Sequence, residues 1–204
     1  VETVRRGISA HAMGRVIQRV VVRNGSLRWP VPADIDARVR GRAIGAITRR
    51  GKYLLLDTGP GTILIHLGMS GRLHVLTSAA ALRVHDHVDI DLEGGITLRL
   101  HDPRRFGAVL YWDHTDPEPK LLAHLGPEPL SEAFNGDYLY QRSRGKRTSI
   151  KAFIMDADVV VGAGNIYAQE ALFAAGIRPR RAAGRLSRGD CMRLVECIRR
   201  VLEA

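Results

Sequence analysis

The chain has 204 residues, 45% of them hydrophobic, enough for one large domain or two small ones around a real core. Lys and Arg outnumber Asp and Glu 31 to 21, and the resulting net charge of +10 points to a polyanionic partner, nucleic acid before a membrane surface. No apolar run approaches a membrane span, no signal peptide is recognised, and the two cysteines, Cys191 and Cys197, have a spacing that fits neither a metal site nor a disulfide, so a reduced cytoplasmic protein is expected.

In Val1–Ala12, residues Val1, Val4, Ile8 and Ala12 fall on one side and Glu2, Arg5 and Arg6 on the other, which predicts a short amphipathic helix weakened by Gly7. Val16–Arg23 is β-branched and reads as a strand. Asn24-Gly25 is a turn signal, followed by an irregular extended segment, Leu27–Pro32. Ala43–Thr48 and Lys52–Asp57 read as strands joined around Arg49-Arg50-Gly51, and Thr62–His66 as another after Gly59-Pro60-Gly61. Leu67–Gly71 breaks the pattern before a strand at Arg72–Leu76, and Thr77–Arg83 reads as a surface loop. His85–Leu92 and Ile96–His101 alternate around Glu93-Gly94-Gly95, predicting a β-hairpin with Asp86, Val88, Ile90 and Leu92 on a buried face and His85, His87, Asp89 and Asp91 on a polar one. Gly107–Trp112 is a further strand.

Residues 1–112 therefore predict an antiparallel β-sandwich with a short leading helix, 113–125 a linker, and 126–204 an all-helical domain, an α+β chain. In the helical part, Gly136–Ile150 carries Arg142, Arg144, Lys146 and Arg147 with no acid after Asp137, and Lys151–Met155 continues as helix. Asn165 is expected to cap a helix in which Ile166, Leu172 and Phe173 share an apolar face, and Cys191–Ala204 is a final amphipathic helix. The chain opens at Val1 without a methionine and stops inside a helical pattern, so a sequence cut at both ends is expected.

Four stretches invite a chemical reading. The Gly162-Ala163-Gly164-Asn165 turn feeds a helix N-terminus, a geometry that binds phosphate or simply packs a corner. Lys52 opens an apolar strand, where a lysine can act as an amine acid or base or merely guard a sheet edge. Met69 stands on a glycine-flanked loop in His66–Gly71, as a core filler or as an apolar docking group. His101–Gly107 combines a turn, Arg104, Arg105 and Phe106, the composition of a wedge that enters a base step, or of a turn with a core Phe. His85 and His87, two apart on one strand with no third ligand near in sequence, read as a polar face or phosphate contact and not as a metal site.

In combination these stretches resemble one family. Val1–Gly7 (VETVRRG), Leu27–Pro32, Arg49–Leu56, His66–Gly71, His85–Val88, Asp102–Gly107, Leu125–Leu130 (LGPEPL) and Gly162–Phe173 are similar, in the same order, to bacterial formamidopyrimidine-DNA glycosylases. That resemblance covers essentially the whole chain. It implies a β-sandwich joined to a helical domain with a helix–two-turn–helix, then a zinc finger whose ligands would lie beyond Ala204. It implies excision of oxidised purines such as 8-oxoguanine and formamidopyrimidines from double-stranded damaged DNA, with AP lyase cleavage, by a monomer in the bacterial cytoplasm at the nucleoid. Met69, Arg104 and Phe106 resemble the residues that fill the void left by an everted nucleotide. Lys52 resembles the lysine that assists β-elimination. His66, His85, Arg104, Lys146, Lys151 and Asn165 resemble DNA contacts.

The family nucleophile is an N-terminal proline, its secondary amine attacking the sugar C1′ beside a glutamate acid. Those residues would precede Val1, so residues 1–204 by themselves are expected to be inactive in base excision. The alternative is a non-catalytic module that binds damaged or abasic DNA and lacks the nucleophile.

Overall fold

The computed structural model describes residues 1–77 and 80–203; Ser78 and Ala79 of the expected Thr77–Arg83 loop, and Ala204, lie outside the described residues. The chain divides into two compact units, Val1–Pro119 and Lys120–Ala204. In the stretch 113–125, Asp113 ends a strand and Lys120–Ala123 forms a short helix.

The first unit begins with helix α1 (Glu2–Ala12), which buries Ile8 and Ala12 and packs Val1 and Val4 at the core margin. Two four-stranded antiparallel sheets follow. One runs in the order β2 (Ala46–Arg50), β3 (Tyr53–Asp57), β4 (Gly61–His66), β8 (Ala108–Asp113). The other runs β1 (Ile17–Val22), β6 (Asp86–Leu92), β7 (Ile96–His101), β5 (Arg72–Leu76). Their inner faces supply one core, with Ile47, Leu54, Leu56, Ile63 and Ile65 from the first and Ile17, Val88, Ile90, Leu98 and Leu100 from the second. Alternation specifies this arrangement, because a one-residue slip would turn each apolar set outward. A five-residue helix, α2 (Ile35–Val39), has no counterpart in the sequence reading, since little more than one turn leaves no periodic signal.

The hairpin of β6 and β7 corrects one expectation. Its polar face is not solvated: Asp86, His87, Asp89 and Arg99 are all buried. The register between β6 and β7 shifts between Asp86 and Val88, and that irregularity moves Asp86 off the apolar face and onto the face of His101 and Arg99. Arg99 donates to both oxygens of Asp89 at 2.8 Å, and its Nη1 lies 3.6 Å from Asp86. Arg23 donates to Asp89 from β1's end, and His101 Nδ1 to Asp86 at 2.8 Å. Burial pushes both carboxyls up, but these hydrogen bonds and charges outweigh it and hold each below its ordinary value of 3.8. The stabilisation is therefore present above about pH 4 and is lost as pH falls through the lower native values.

In the second unit, α3 (Lys120–Ala123) leads to α4 (Gly136–Ser143), whose N-cap Asn135 accepts from the Tyr138 amide at 2.9 Å. Ser149 caps α5 (Ile150–Met155) in the same way. Then come α6 (Asn165–Ala174) and α7 (Arg188–Glu203), which closes the core with Cys191, Leu194, Val195, Cys197 and Ile198. Two expectations for α6 are corrected. The cap position is Gly164, and Asn165 is the first helical residue with no side-chain cap bond. Ile166 and Phe173 do share a face, being seven apart, but it is the exposed one. Each lies two positions, about 200°, from Ala168 or Ala171, which with Leu172 form the buried stripe.

Replacing Arg99 by Met should destabilise the protein by about 3–5 kcal/mol, because two buried carboxylates lose their shared cation. Urea denaturation reads this; a loss under ~1 kcal/mol would show that Asp86 and Asp89 do not depend on Arg99.

Candidate functional site

Strand order places the candidate residues of the first unit. β3 begins, β4 ends and β8 begins at the same margin of one sheet, as the pairs Tyr53 with His66 and His66 with Ala108 record. In the other sheet β5 begins, β6 begins and β7 ends at one margin, where Arg72 and Asp86 both pair with His101. The segment 67–71 leaves β4 for β5, and the segment 102–107 leaves β7 for β8. Two connections that cross between the sheets thus run side by side. Lys52 stands next to them because it is the second residue of the Gly51-Lys52 turn between β2 and β3, where Gly51 adopts φ 56°.

The two connections touch through backbone. A Cβ on Gly68 would come 2.5 Å from the Phe106 carbonyl carbon, and Gly68 also has φ 60°. Only glycine fits on both counts. Arg105 is the one non-glycine residue with positive φ among the described residues, at 57°, so the 102–107 connection is held in a conformation that side chains disfavour.

Around this meeting point lies a cavity of about 790 Å³ lined by Ser26, Leu27, Arg28, Lys52, His66, Gly68, Met69, Arg104, Arg105 and Phe106. Five sequence-predicted residues, Lys52, His66, Met69, Arg104 and Phe106, are therefore brought together. Met69 is 73% exposed and Phe106 48%, which excludes the core-filler reading for both. The Arg104 guanidinium lies 5.8 Å from the centroid of the Phe106 ring. Lys52 is exposed at the rim.

His66 is the most perturbed group in the cavity. Burial, then the positive charges of Arg28 and Lys52, push its pKa down from 6.5 to about 4. The Gly68 amide donates to its Nδ1 at 3.0 Å, which leaves the ring proton on Nε2 as a free donor. His66 is thus a neutral hydrogen-bond donor flanked by cations, suited to an anionic oxygen.

The other candidates lie elsewhere. His85 precedes β6 at the same end of its sheet, its ring edge-on to His87 and His101 at 6.2 and 5.8 Å, and it does not line the cavity. Lys146, Lys151 and Asn165 belong to the second unit. Lys146 is exposed in the turn after α4. Lys151 donates to Gln169 Oε1 at 3.0 Å, and Gln169 is one turn beyond Asn165 on α6, so Lys151 and Asn165 share a surface. Among the described residues no group of His, Cys, Asp or Glu is arranged to hold a metal; both cysteines are buried in α7. The residue the sequence reading missed is Arg28. Its amide donates to the Gly107 carbonyl at 3.0 Å, and its guanidinium lies 4.7 Å from the Trp29 ring. Its segment has no periodicity, so only an Arg-Trp pair beside prolines could have marked it.

An NMR titration of His66 should show a midpoint near pH 4, with the Nε2–H tautomer throughout the neutral range. A midpoint near 6.5 would mean that the ring is solvated and does not feel the charges of Arg28 and Lys52.

The chain is similar to known proteins in both sequence and fold. Residues 1–109 match the model of the formamidopyrimidine-DNA glycosylase N-terminal domain, and residues 125–204 that of the formamidopyrimidine-DNA glycosylase H2TH domain. The formamidopyrimidine-DNA glycosylase of Thioalkalivibrio sulfidiphilus is 57% identical over 202 residues, 99% of this chain and 74% of that protein. That of Acidithiobacillus ferrooxidans is 56% identical over 204 residues, 100% of this chain and 75% of the relative. A crystal structure of the Lactococcus lactis enzyme bound non-covalently to DNA containing an AP site superposes with a TM-score of 0.92 at 28% identity, covering 99% of this chain and 78% of that one. The Thermus thermophilus enzyme gives a TM-score of 0.88 at 36% identity, covering 100% and 74%. Two family models in tandem and relatives above half identity across nearly every residue leave one assignment: the chain belongs to the formamidopyrimidine-DNA glycosylases, a family of base-excision repair enzymes.

Proposed function

We propose that this protein removes oxidised purines, 8-oxoguanine and formamidopyrimidines, from double-stranded DNA and cleaves the resulting abasic strand as an AP lyase, working as a monomer in the bacterial cytoplasm. The observation that carries the proposal is the single cavity on which Lys52, His66, Met69, Arg104 and Phe106 converge. An everted nucleotide leaves an apolar gap with an orphaned partner base. Met69 and Phe106 offer exposed apolar groups to that gap, and Arg104 offers hydrogen-bond donors to an unpaired cytosine. His66, with its free Nε2–H in a cavity that Arg28 and Lys52 also line, would hold a phosphate beside the lesion. Lys52 would transfer the proton during β-elimination.

His85 from the first unit, and Lys146, Lys151 and Asn165 from a helix–two-turn–helix in the second, would supply further DNA contacts. Asn165 suits that role better uncapped: its side chain and the first-turn amides of α6 are not engaged with each other. The family's structural zinc does not fit the residues described, and no step of the chemistry runs through it.

Replacing Phe106 or Met69 by Ala should weaken binding to a duplex with an abasic analogue by about 1–3 kcal/mol while sparing undamaged duplex. Gel-shift titration on both duplexes separates the outcomes; equal losses would make the two side chains structural only.

A polypeptide of residues 1–204 alone should give no 8-oxoguanine excision, because the attack on C1′ calls for a neutral prolyl amine, and lysine amines are mostly protonated at neutral pH. Adding Pro-Glu before Val1 should restore excision and a borohydride-trapped adduct. Trapping by residues 1–204 at a comparable rate would move the nucleophile to Lys52.

A further inference from the structure

Asp102 has no role in the chemistry above, yet its side chain is fully buried where the two crossing connections meet. Its Oδ1 accepts from the Ser70 hydroxyl at 2.7 Å, in the connection that carries Met69. Its Oδ2 accepts from the Gly107 amide at 2.8 Å, in the connection that carries Arg104 and Phe106. The backbone of the same residue is equally committed. Its carbonyl accepts from the Arg105 amide at 3.2 Å and from His87 Nε2 at 2.9 Å, and its amide donates to the His85 carbonyl at 3.0 Å. Gly107 is shaped to this carboxylate, since a Cβ there would lie 3.0 Å from Oδ2 and 2.8 Å from the His66 carbonyl.

We propose that Asp102 is a positioning residue that makes the Met69 connection and the Arg104–Phe106 connection one rigid wedge. Each of its carboxylate oxygens holds one connection, so a buried hydrogen-bonded group adds to the Gly68–Phe106 contact in fixing the separation of the exposed Met69 and Phe106 side chains. Without it, the strained backbone at Arg105 and the short 67–71 loop are left with only the packing of Gly68 on Phe106 between them, and the two apolar groups gain freedom relative to each other. An ordered wedge enters a base step without first losing loop freedom, so the effect is confined to duplexes that must open. This inference rests on the void-filling reading of Met69, Arg104 and Phe106.

The test compares affinity for an abasic-analogue duplex and an undamaged duplex in the full-length protein. Ser70→Ala removes only the link to the Met69 connection at a partly exposed position, and should lower the preference for the abasic duplex about 3- to 10-fold, the effect of one lost hydrogen bond. Its effect should disappear in a Met69→Ala background. Asp102→Ala should cost more than Ser70→Ala. Asp102→Asn should keep most of the preference, because the amide oxygen can still accept from Gly107 and the amide nitrogen can donate to Ser70 Oγ. If Phe106→Ala lowers the preference but Ser70→Ala does not, or if Ser70→Ala weakens both duplexes equally, the positioning role is overturned. If Phe106→Ala itself leaves the preference unchanged, the void-filling reading falls, and this proposal with it.

Discussion

The pairing of β4 with β3 on one side and β8 on the other is the constraint on which the site depends. It puts the end of one strand and the starts of two others at one margin, so that Lys52, His66 and the segment before β8 are neighbours whatever their side chains are. Close contact then requires glycine. Gly68 meets the backbone of Phe106, and Gly107 meets that of His66, at distances that leave no room for a Cβ. The cavity is therefore a consequence of sheet order first and of side-chain chemistry second. The same closeness explains the depressed pKa of His66, since a ring pressed among Arg28, Lys52 and Tyr53 loses solvent and gains like-charge neighbours.

The neighbouring sheet contributes rigidity by a different means. Its outer face carries Asp86, Asp89, Arg99 and His101 in a buried network where every charged group has an opposite or a hydrogen-bonding partner. Such a network adds little net stability compared with an apolar face, but it punishes any rearrangement that strands one charge. β7 runs from this network straight into Asp102, so the connection bearing Arg104 and Phe106 leaves from a strand end that cannot slide. Stiffness at that point suits a wedge proposed to act on a stacked duplex.

In the second unit, the corrections at α6 have one cause. Two small residues, Ala168 and Ala171, form its buried stripe with Leu172, and the large Ile166, Tyr167 and Phe173 are left on the surface. Size alone would have turned the helix the other way. Burial here follows how closely α6 must approach its neighbours, which favours alanine.

Much of the fold was legible locally. β-branched and apolar runs, the alternation of the β6–β7 hairpin and Gly-rich turns located the eight strands described in the first unit to within a few residues, and the apolar stripe of α7 was plain in Leu194, Val195 and Ile198. The candidate residues were legible as odd placements, such as Met69 between glycines and Phe106 after two arginines, and the resemblance to the glycosylases assigned them roles. What remained hidden was what depends on partners distant in sequence. Burial of the polar hairpin face needed Arg23, which follows the end of β1, and the shift of register at Asp86. The inclusion of Arg28 needed the Gly107 carbonyl, 79 residues away by number. The link from Ser70 through Asp102 to Gly107 spans both sheets. Periodicity and turn chemistry reside in neighbouring residues and so can be read from the sequence by itself; which margins and connections come together is decided by strand order and close backbone approach, and these exist only once the two sheets have packed.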